Sequence, residues 1–360
     1  MRILVSKFKS IGDVILTTAL ISNLRKNFPS AIIDYLLVEG CEDVIKHNHK
    51  INSVFLFTQR SSNKFKRIKN DLQIMLQLRK KKYDIYIATD RGERSALLAK
   101  FINSPISIGR ETEGLNFFYQ DVFNNFFSHH GDRHVTDLNN DPIRILEKKI
   151  YTNHLELFIS DDLKQQFKEK FSYLNKFIHI HPVSQCNYKT LDDELMAKII
   201  DFFEIELQVR VVLTSSSNKK EIDKMKSIAH FVKSDPINLS GQLSLLETIY
   251  LNSISRFMIS VDTALSHIAS SNKIPMIIFF GPTSIKRWGP FEDMDKVDSC
   301  INENLRIFSK DIKTVISSKF DCIPCQKIGC NNSGISDCLK KIDIRSLKNT
   351  FIGYKENFYD

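Results

Sequence analysis

The chain has 360 residues, of which 42% are hydrophobic, and this is enough apolar sequence to build two cores. Its 51 basic and 42 acidic residues give a net charge of +9, which favours anionic partners such as phosphorylated substrates, acidic lipid surfaces or nucleic acid. No apolar run approaches the roughly 18 residues of a membrane span. The N-terminal strand enters a charged loop directly, unlike a signal peptide, so we expect the seven cysteines to be reduced thiols in the cytosol.

The first part of the chain alternates short apolar runs with helical patterns. The predicted strands cover residues 2–8, 31–38, 53–57 and 84–89. The predicted helices cover residues 14–27, 41–48, 63–82 and 93–101. This alternation predicts a parallel sheet with helices on both faces.

Residues 112–160 lose this rhythm and contain an aromatic patch and the histidine-rich segment 129–134. We place the end of the first domain and the linker between residues 150 and 175. The rhythm then restarts. The predicted strands of this part are 177–181, 209–214, 256–260 and 274–280. The predicted helices are 192–203, 218–230, 243–252 and 264–270, with a terminal helix in the last twenty residues. We therefore expect an α/β protein with two doubly wound domains in tandem and a cleft between them.

The stretch 260–267, followed by 274–283, reads as strand, turn, helix, strand and loop. A helix N-terminus at the carboxyl edge of a parallel sheet is suited to bind an anion, because its free N–H groups and dipole face the crevice. An ordinary capped helix explains the same residues, since Asp262 and Thr263 are both good N-cap residues.

Asp13 follows the first predicted strand and Gly12. Its carboxylate is either a general base at the carboxyl edge of the sheet or an N-cap of the next helix. Lys189 lies in the polar loop after His181 and is either a phosphate ligand or a solvated lysine. Glu221 follows a small-residue loop, where it either accepts hydrogen bonds from ribose hydroxyls or closes a capping box.

His267 follows Asp262 on the predicted helix, close enough for both to face one site. It either binds a ligand there or is simply packed within the fold. No second metal ligand stands at suitable spacing beside it, so we expect no catalytic metal. Near the C-terminus, four cysteines have the spacing C-x2-C-x4-C-x7-C: Cys322, Cys325, Cys330 and Cys338. They are either zinc ligands or free thiols in a packed hairpin.

Taken together, these motifs resemble the bacterial ADP-heptose:lipopolysaccharide heptosyltransferases (glycosyltransferase family 9) over nearly the whole chain. The resemblance rests on residues 7–18, on 180–182 with Lys189, and on 261–269 followed by 280–283. Residues 83–86 and 89–90 look most like the lipopolysaccharide heptosyltransferase III branch. After Lys189, many members carry an aromatic pair, whereas this chain has Thr190 and Leu191.

The resemblance implies the GT-B fold, in which two Rossmann-like domains face a cleft. It assigns residues 1–165 to an acceptor-binding domain, 175–340 to a nucleotide-sugar-binding domain and 341–360 to a C-terminal helix. It also implies an inverting transfer of heptose from ADP-heptose to the lipopolysaccharide inner core, without a metal or cofactor. Asp13 would be the general base. The donor-binding residues would be Lys189, Glu221, Asp262, Thr263, Ala264 and His267.

Between residues 60 and 82 the chain carries nine basic residues and one acid, Asp71. We expect Arg60, Lys64 and Arg67 to bind a lipid-linked acceptor, with the protein peripheral at the anionic inner face of the inner membrane in the cytoplasm. The alternative is that the apolar face of this helix packs on the sheet and its charges are merely solvated.

Two other functions remain open at this point. One is a transferase of the same fold that uses a protein acceptor or another nucleotide sugar. The other is a basic, non-enzymatic anion-binding protein. We expect no nucleic-acid partner, because the basic residues are not interleaved with an RNA-reading motif.

Overall fold

The computed structural model describes residues 1–58, 64–123, 133–290, 297–301 and 304–360. The chain divides into two compact units, residues 1–158 and 159–360. Residues 161–170, which lie across the end of the predicted first domain, form a helix of the second unit. The C-terminal residues 341–360 also belong to the second unit.

The described strands of the first unit form one parallel sheet in the order β3-β2-β1-β4-β5-β6. They are β1 Arg2–Lys7, β2 Ile32–Val38, β3 Ser53–Phe57, β4 Ile85–Ala88, β5 Ile106–Arg110 and β6 Asp121–Phe123. The strands β5 and β6 were not predicted, because the apolar residues of β5 are interrupted by serine and glycine and β6 has only three residues. This strand order is the one typical of doubly wound, dinucleotide-binding sheets, so the predicted α/β class is confirmed.

The described α-helices of the first unit are α1 Ile11–Ile15, α2 Thr18–Asn27, α3 Lys64–Lys80, α4 Glu93–Ile102, α5 Val135–Asn139 and α6 Asp141–Ile145. The prediction of one helix over residues 14–27 was wrong, because the helix is interrupted between α1 and α2. The buried Thr17 hydroxyl donates to the Val14 carbonyl at 2.7 Å and so replaces part of the helical ladder. The helix predicted over 41–48 is only a short 3₁₀ turn, Glu42–Val44.

The second unit contains an eight-stranded sheet in the order β12-β13-β14-β11-β10-β7-β8-β9. Its strands are β7 Ile178–His181, β8 Val211–Leu213, β9 Ile237–Asn238, β10 Met258–Val261, β11 Met276–Phe280, β12 Asp298–Ile301, β13 Leu305–Lys310 and β14 Lys313–Ser318. The six parallel strands, in the order β14-β11-β10-β7-β8-β9, repeat the doubly wound arrangement. The strands β13 and β12 extend the sheet beyond β14 in antiparallel pairing. The sequence analysis missed the strands β9, β12, β13 and β14.

The helices of the second unit are α7 Asp161–Lys170, α8 Asp193–Asp201, α9 Lys219–Ala229, α10 Leu245–Ile254, α11 Ala264–Asn272, α12 Ile285–Trp288, α13 Asp337–Lys340 and α14 Lys348–Tyr354. The C-terminal helix α14 docks through Phe351, which is fully buried, and Tyr354. The Tyr354 hydroxyl donates to the Met276 carbonyl at 2.7 Å, so the helix is tied to β11. No helix in the described part of the chain is long and apolar enough to cross a membrane.

The chain reverses its winding direction once in each sheet. In the first sheet the reversal lies between the neighbouring strands β1 and β4, and in the second between β7 and β10. In open α/β sheets, ligands bind outside the carboxyl ends of the strands at such a switch point. The loops that follow these four strands are therefore where a functional site is expected in each unit.

Candidate functional site

At the switch point of the first sheet, a buried lysine is paired with a buried aspartate. Lys7 is the last residue of β1, and Asp90 stands two residues beyond β4. The Lys7 ammonium lies 3.1 Å from Asp90 Oδ1, and their side chains are only 1% and 3% exposed. The other carboxylate oxygen of Asp90 accepts the backbone N–H of Phe8, so the pair ties the ends of the two strands together.

Asp13 extends this pair toward solvent. Its Oδ1 lies 3.7 Å from the Lys7 ammonium, and its Oδ2 accepts the Ser10 hydroxyl at 2.8 Å. The side chain is 16% exposed, so a substrate hydroxyl can approach it, unlike Asp90. The N-cap interpretation of Asp13 was wrong, because Ser10 occupies the N-cap position of α1 and Asp13 lies inside the helix.

The surroundings of Lys7 are buried and contain several other titratable groups. Burial lowers the pKa of Lys7 below its ordinary value, while the carboxylates of Asp90 and Asp13 act in the opposite direction and Arg110 adds to the lowering. Burial also raises the pKa of Tyr86, whose hydroxyl is hydrogen-bonded to the Ser6 hydroxyl at 2.8 Å. Asp90 and Asp13 are therefore the carboxylates that compensate the buried ammonium.

At the switch point of the second sheet, Lys189 and Asp262 form a second ion pair. The Lys189 ammonium lies 2.7 Å from Asp262 Oδ2, and the same oxygen accepts the Thr283 hydroxyl at 2.6 Å. Asp262 directly follows β10 and is almost fully buried, whereas Lys189 is 22% exposed. The structure therefore brings together residues from two of the predicted motifs at one edge of the sheet.

The helix α11 begins beside this pair. Thr263 is its N-cap residue, but the Thr263 side chain makes no capping hydrogen bond, and Ala264 is the first helical residue. The first N–H groups of a helix have no partner within the helix, so this end can receive an anion. His267 lies one turn further on and is buried, in agreement with a packed position.

Two buried histidines and a glutamate lie behind the small-residue loop. His179 Nε2 and His181 Nδ1 both contact the Thr214 hydroxyl, at 2.7 and 2.9 Å. Burial lowers the pKa of His181 to about 4, while the nearby Glu221 acts in the opposite direction. Glu221 Oε2 accepts the Ser216 backbone N–H at 2.9 Å. Glu221 is the N3 residue of α9, and its carboxylate thus holds the loop before the helix. The arrangement resembles the predicted capping box, but the carboxylate binds the N–H of Ser216 and not that of the N-cap residue Asn218.

Of the three expected acceptor-binding residues, the structure describes the side chain of Arg67 alone. Arg60 lies outside the described residues, as does the segment 129–132, and the side chain of Lys64 is likewise not described. Arg67 is half-buried on α3. Asp71, the acid of this region, accepts the backbone N–H of Thr58 at 3.0 Å.

The four C-terminal cysteines form no disulfide bond. Cys338 is buried, and burial followed by the influence of the other three raises the pKa of its thiol to about 11. In the described part of the chain, no group of three or more His, Cys, Asp or Glu side chains is arranged to hold a metal ion. The zinc interpretation therefore gains no support from the structure.

Sequence reasoning treated Lys7, Asp90 and Thr283 only as parts of motifs and assigned them no role. A lysine at the end of an apolar strand followed by a second lysine reads as the start of a polar loop. The one available signal was the pair of strand-end charges, because the carboxyl ends of neighbouring parallel strands meet at one edge of the sheet.

The comparisons with known proteins agree on one family. The sequence model described as "Glycosyltransferase family 9 (heptosyltransferase)" matches residues 72–334. The curated protein "Lipopolysaccharide heptosyltransferase 3" of Escherichia coli (strain K12) is 27% identical over 293 residues, covering 78% of this chain and 83% of that protein.

Solved structures show the same fold. The E. coli ADP-heptose lps heptosyltransferase II matches with a TM-score of 0.74 at 18% identity, over 98% of both chains. The E. coli heptosyltransferase WaaC with ADP matches with a TM-score of 0.63 at 18% identity, over 80% of this chain and 90% of that one. The expected GT-B fold is thereby confirmed.

Replacing Lys7 by methionine should strongly destabilise the first unit, because Asp90 would be left as a buried charge without its cation. Breaking a buried ion pair on one side costs about 3–5 kcal/mol of unfolding free energy, measurable by urea denaturation. The double variant Lys7→Met/Asp90→Asn should recover part of this loss. Lys164→Met, which breaks an exposed ion pair, should leave the unfolding free energy almost unchanged. Equal stability of Lys7→Met and the unsubstituted protein would contradict the role of this pair.

Proposed function

Since this chain belongs to glycosyltransferase family 9, the heptosyltransferase family, we propose that it transfers heptose from ADP-heptose to the inner core of lipopolysaccharide. The observation that carries the proposal is that charged side chains meet at the switch point of each sheet, where ligands of this fold class bind. The name of the curated relative, a lipopolysaccharide heptosyltransferase, supports the choice of donor and acceptor.

The proposed reaction is an inverting displacement. The acceptor hydroxyl oxygen forms a bond to the anomeric carbon of the heptose, and the bond from that carbon to the diphosphate oxygen breaks. The proton of the hydroxyl passes to Asp13, and ADP leaves with the bonding electrons. A carboxylate is suited to this role when its orientation is held, and here Lys7 and Ser10 each contact one of its oxygens.

Negative charge grows on the diphosphate as ADP departs. Lys189 is the cation proposed to meet it, because its side chain is partly exposed and its ammonium is already held at the switch point by Asp262. The N–H groups at Thr263 and Ala264 would supply further donors at the start of α11. These partners would carry the charge without a metal or cofactor.

The remaining donor contacts are assigned by position. Asp262 would bind heptose hydroxyls or hold the turn before α11, and Glu221 would accept hydrogen bonds from the ribose. His267, buried on α11, would support the same end of the site. In the proposed domain roles, the first unit binds the acceptor and the second binds the nucleotide sugar.

On the acceptor side, we assign Arg60, Lys64 and Arg67 to the phosphorylated, lipid-linked core. This core is joined to lipid, so the protein would work in the cytoplasm at the periphery of the anionic inner membrane. Basic residues near such a surface contribute about 1 kcal/mol each, and salt screens them.

The purified chain should release ADP from ADP-heptose only when core acceptor is present, and Asp13→Asn should lower kcat by about a hundred- to ten-thousandfold. The amide keeps the shape of the side chain but cannot accept the proton. Ser10→Ala, which removes only the hydrogen bond to Asp13, should have a much smaller effect. Near-normal turnover of Asp13→Asn at saturating substrates would refute the base. A higher rate with another nucleotide sugar, or with a protein acceptor, would favour the alternative transferase.

Lys189→Ala should weaken ADP binding and slow turnover, because a charge-assisted hydrogen bond to the diphosphate is lost. Such a bond contributes about 1.5–3 kcal/mol, which titration calorimetry with ADP can resolve. Lys198→Ala, in an exposed ion pair of the same unit, is the matched control and should bind ADP normally. Unchanged ADP affinity in Lys189→Ala would return this lysine to the role of an internal partner of Asp262.

Replacing Arg60, Lys64 and Arg67 together by alanine should raise the apparent KM for the acceptor and leave the KM for ADP-heptose unchanged. The acceptor effect should shrink as salt rises, because salt screens the attraction between these basic residues and the acceptor phosphates. The control replaces Lys164, Lys168 and Lys170 of α7, which removes the same charge elsewhere. Normal acceptor kinetics of the first variant at low ionic strength would contradict the assignment.

A further inference from the structure

The helix α3 presents large apolar side chains to solvent. Phe65 is 85% exposed, Ile68 59%, Leu72 48% and Leu76 45%. Sequence analysis left open that this apolar face packs on the sheet, and the structure excludes that for these four residues. We call them the α3 stripe. Scattered exposed apolar residues are ordinary, but four on one helix form a surface that requires an explanation.

The α3 stripe is continuous along the helix. Its members recur at three- and four-residue steps, so they lie on one side of α3 and span about 17 Å at the usual rise per residue. The helix is anchored from its opposite side. Leu78 is fully buried, and Ile74 packs against the core of the first unit. The stripe is therefore a second apolar face that remains after the helix has docked on its own sheet.

Basic residues border the α3 stripe. Lys69 and Lys80 are both exposed, and helical periodicity places them along one margin of the stripe. The acid of this region, Asp71, is engaged by the Thr58 N–H. An apolar face with a cationic margin is the arrangement that lies in the interface of a bilayer.

We propose that the α3 stripe docks on an anionic lipid surface, with its four apolar side chains entering the boundary between headgroups and acyl chains. Lys69 and Lys80 then face the headgroup phosphates. A second copy of this chain fits less well, because a symmetric contact brings the basic margins of both copies together with little acid to offset them. The proposal deepens the proposed function, which requires a lipid-linked acceptor.

The test is co-sedimentation of the full-length protein with lipid vesicles. Wild-type protein should bind phosphatidylcholine vesicles that contain about 30% phosphatidylglycerol and bind pure phosphatidylcholine more weakly. Phe65→Gln/Leu72→Gln should lower the partition coefficient about tenfold or more, since two apolar side chains no longer enter the lipid. Salt should weaken wild-type binding without abolishing it, because the apolar part is not screened.

The matched control is Ile205→Gln/Phe231→Gln, which changes exposed apolar residues of the second unit. It should bind vesicles like wild-type protein. The proposal is overturned if wild-type protein ignores anionic vesicles, or if the stripe variant binds them as well as the control. It is also overturned if wild-type protein self-associates in ultracentrifugation and the stripe variant loses that association without losing vesicle binding.

Activity separates this proposal from the proposed function. Both variants should keep wild-type ADP release with a delipidated core oligosaccharide, because the stripe is assigned to lipid and not to the sugar. Loss of that activity in the stripe variant alone would assign Phe65 and Leu72 to binding of the acceptor sugar and overturn the lipid assignment. Vesicle binding without heptosyl transfer in wild-type protein would instead refute the proposed function and leave the docking surface standing.

Discussion

The buried ion pair between Lys7 and Asp90 is the interaction on which the first candidate site depends. An ammonium with almost no exposure is costly to desolvate, and the carboxylate of Asp90 must stay beside it to offset that cost. The pair can form only if β1 and β4 are neighbours, which is the arrangement that creates the switch point. Asp13 pairs with the same Lys7 ammonium from the solvent side. The position of the proposed base is thus a consequence of the sheet order and of one buried charge.

The second unit uses the same chemistry with a different exposure. Lys189 also meets a nearly buried aspartate at a switch point, but its own side chain remains partly open to solvent. Lys7 is enclosed and serves to hold a carboxylate, whereas Lys189 can turn part of its hydrogen-bonding capacity toward a ligand. The two lysines differ in how far their side chains are desolvated. The buried Lys7 cannot exchange its hydrogen-bond partners for others, whereas the partly exposed Lys189 can.

Much of this organisation could be predicted from the sequence, because alternating apolar runs and helical patterns identify a doubly wound fold and place Asp13, Lys189 and Asp262 at strand ends. What could not be predicted depends on tertiary contacts. The break at Thr17 depends on a buried hydroxyl, which local propensity does not report. The strand β13 is held by pairing with β14, and the edge strand β12 by pairing with β13, and not by a strong apolar pattern of their own. The burial of Lys7 follows from the neighbouring strand that supplies Asp90.

The α3 helix shows why a periodic apolar pattern does not by itself identify a core. Helical periodicity shows that apolar residues share one face of a helix. Such a face can pack against a sheet or against a lipid surface, so the pattern does not tell which of the two it contacts. In α3 the core-facing Ile74 lies between two stripe residues in the sequence and the core-facing Leu78 follows the last of them. The sequence alone therefore does not separate the two apolar faces. Only the fold separates them, because the sheet can cover one side of a helix. The proposed lipid contact would cover the other side, and the surplus of basic residues between positions 60 and 82 favours an anionic surface for that contact.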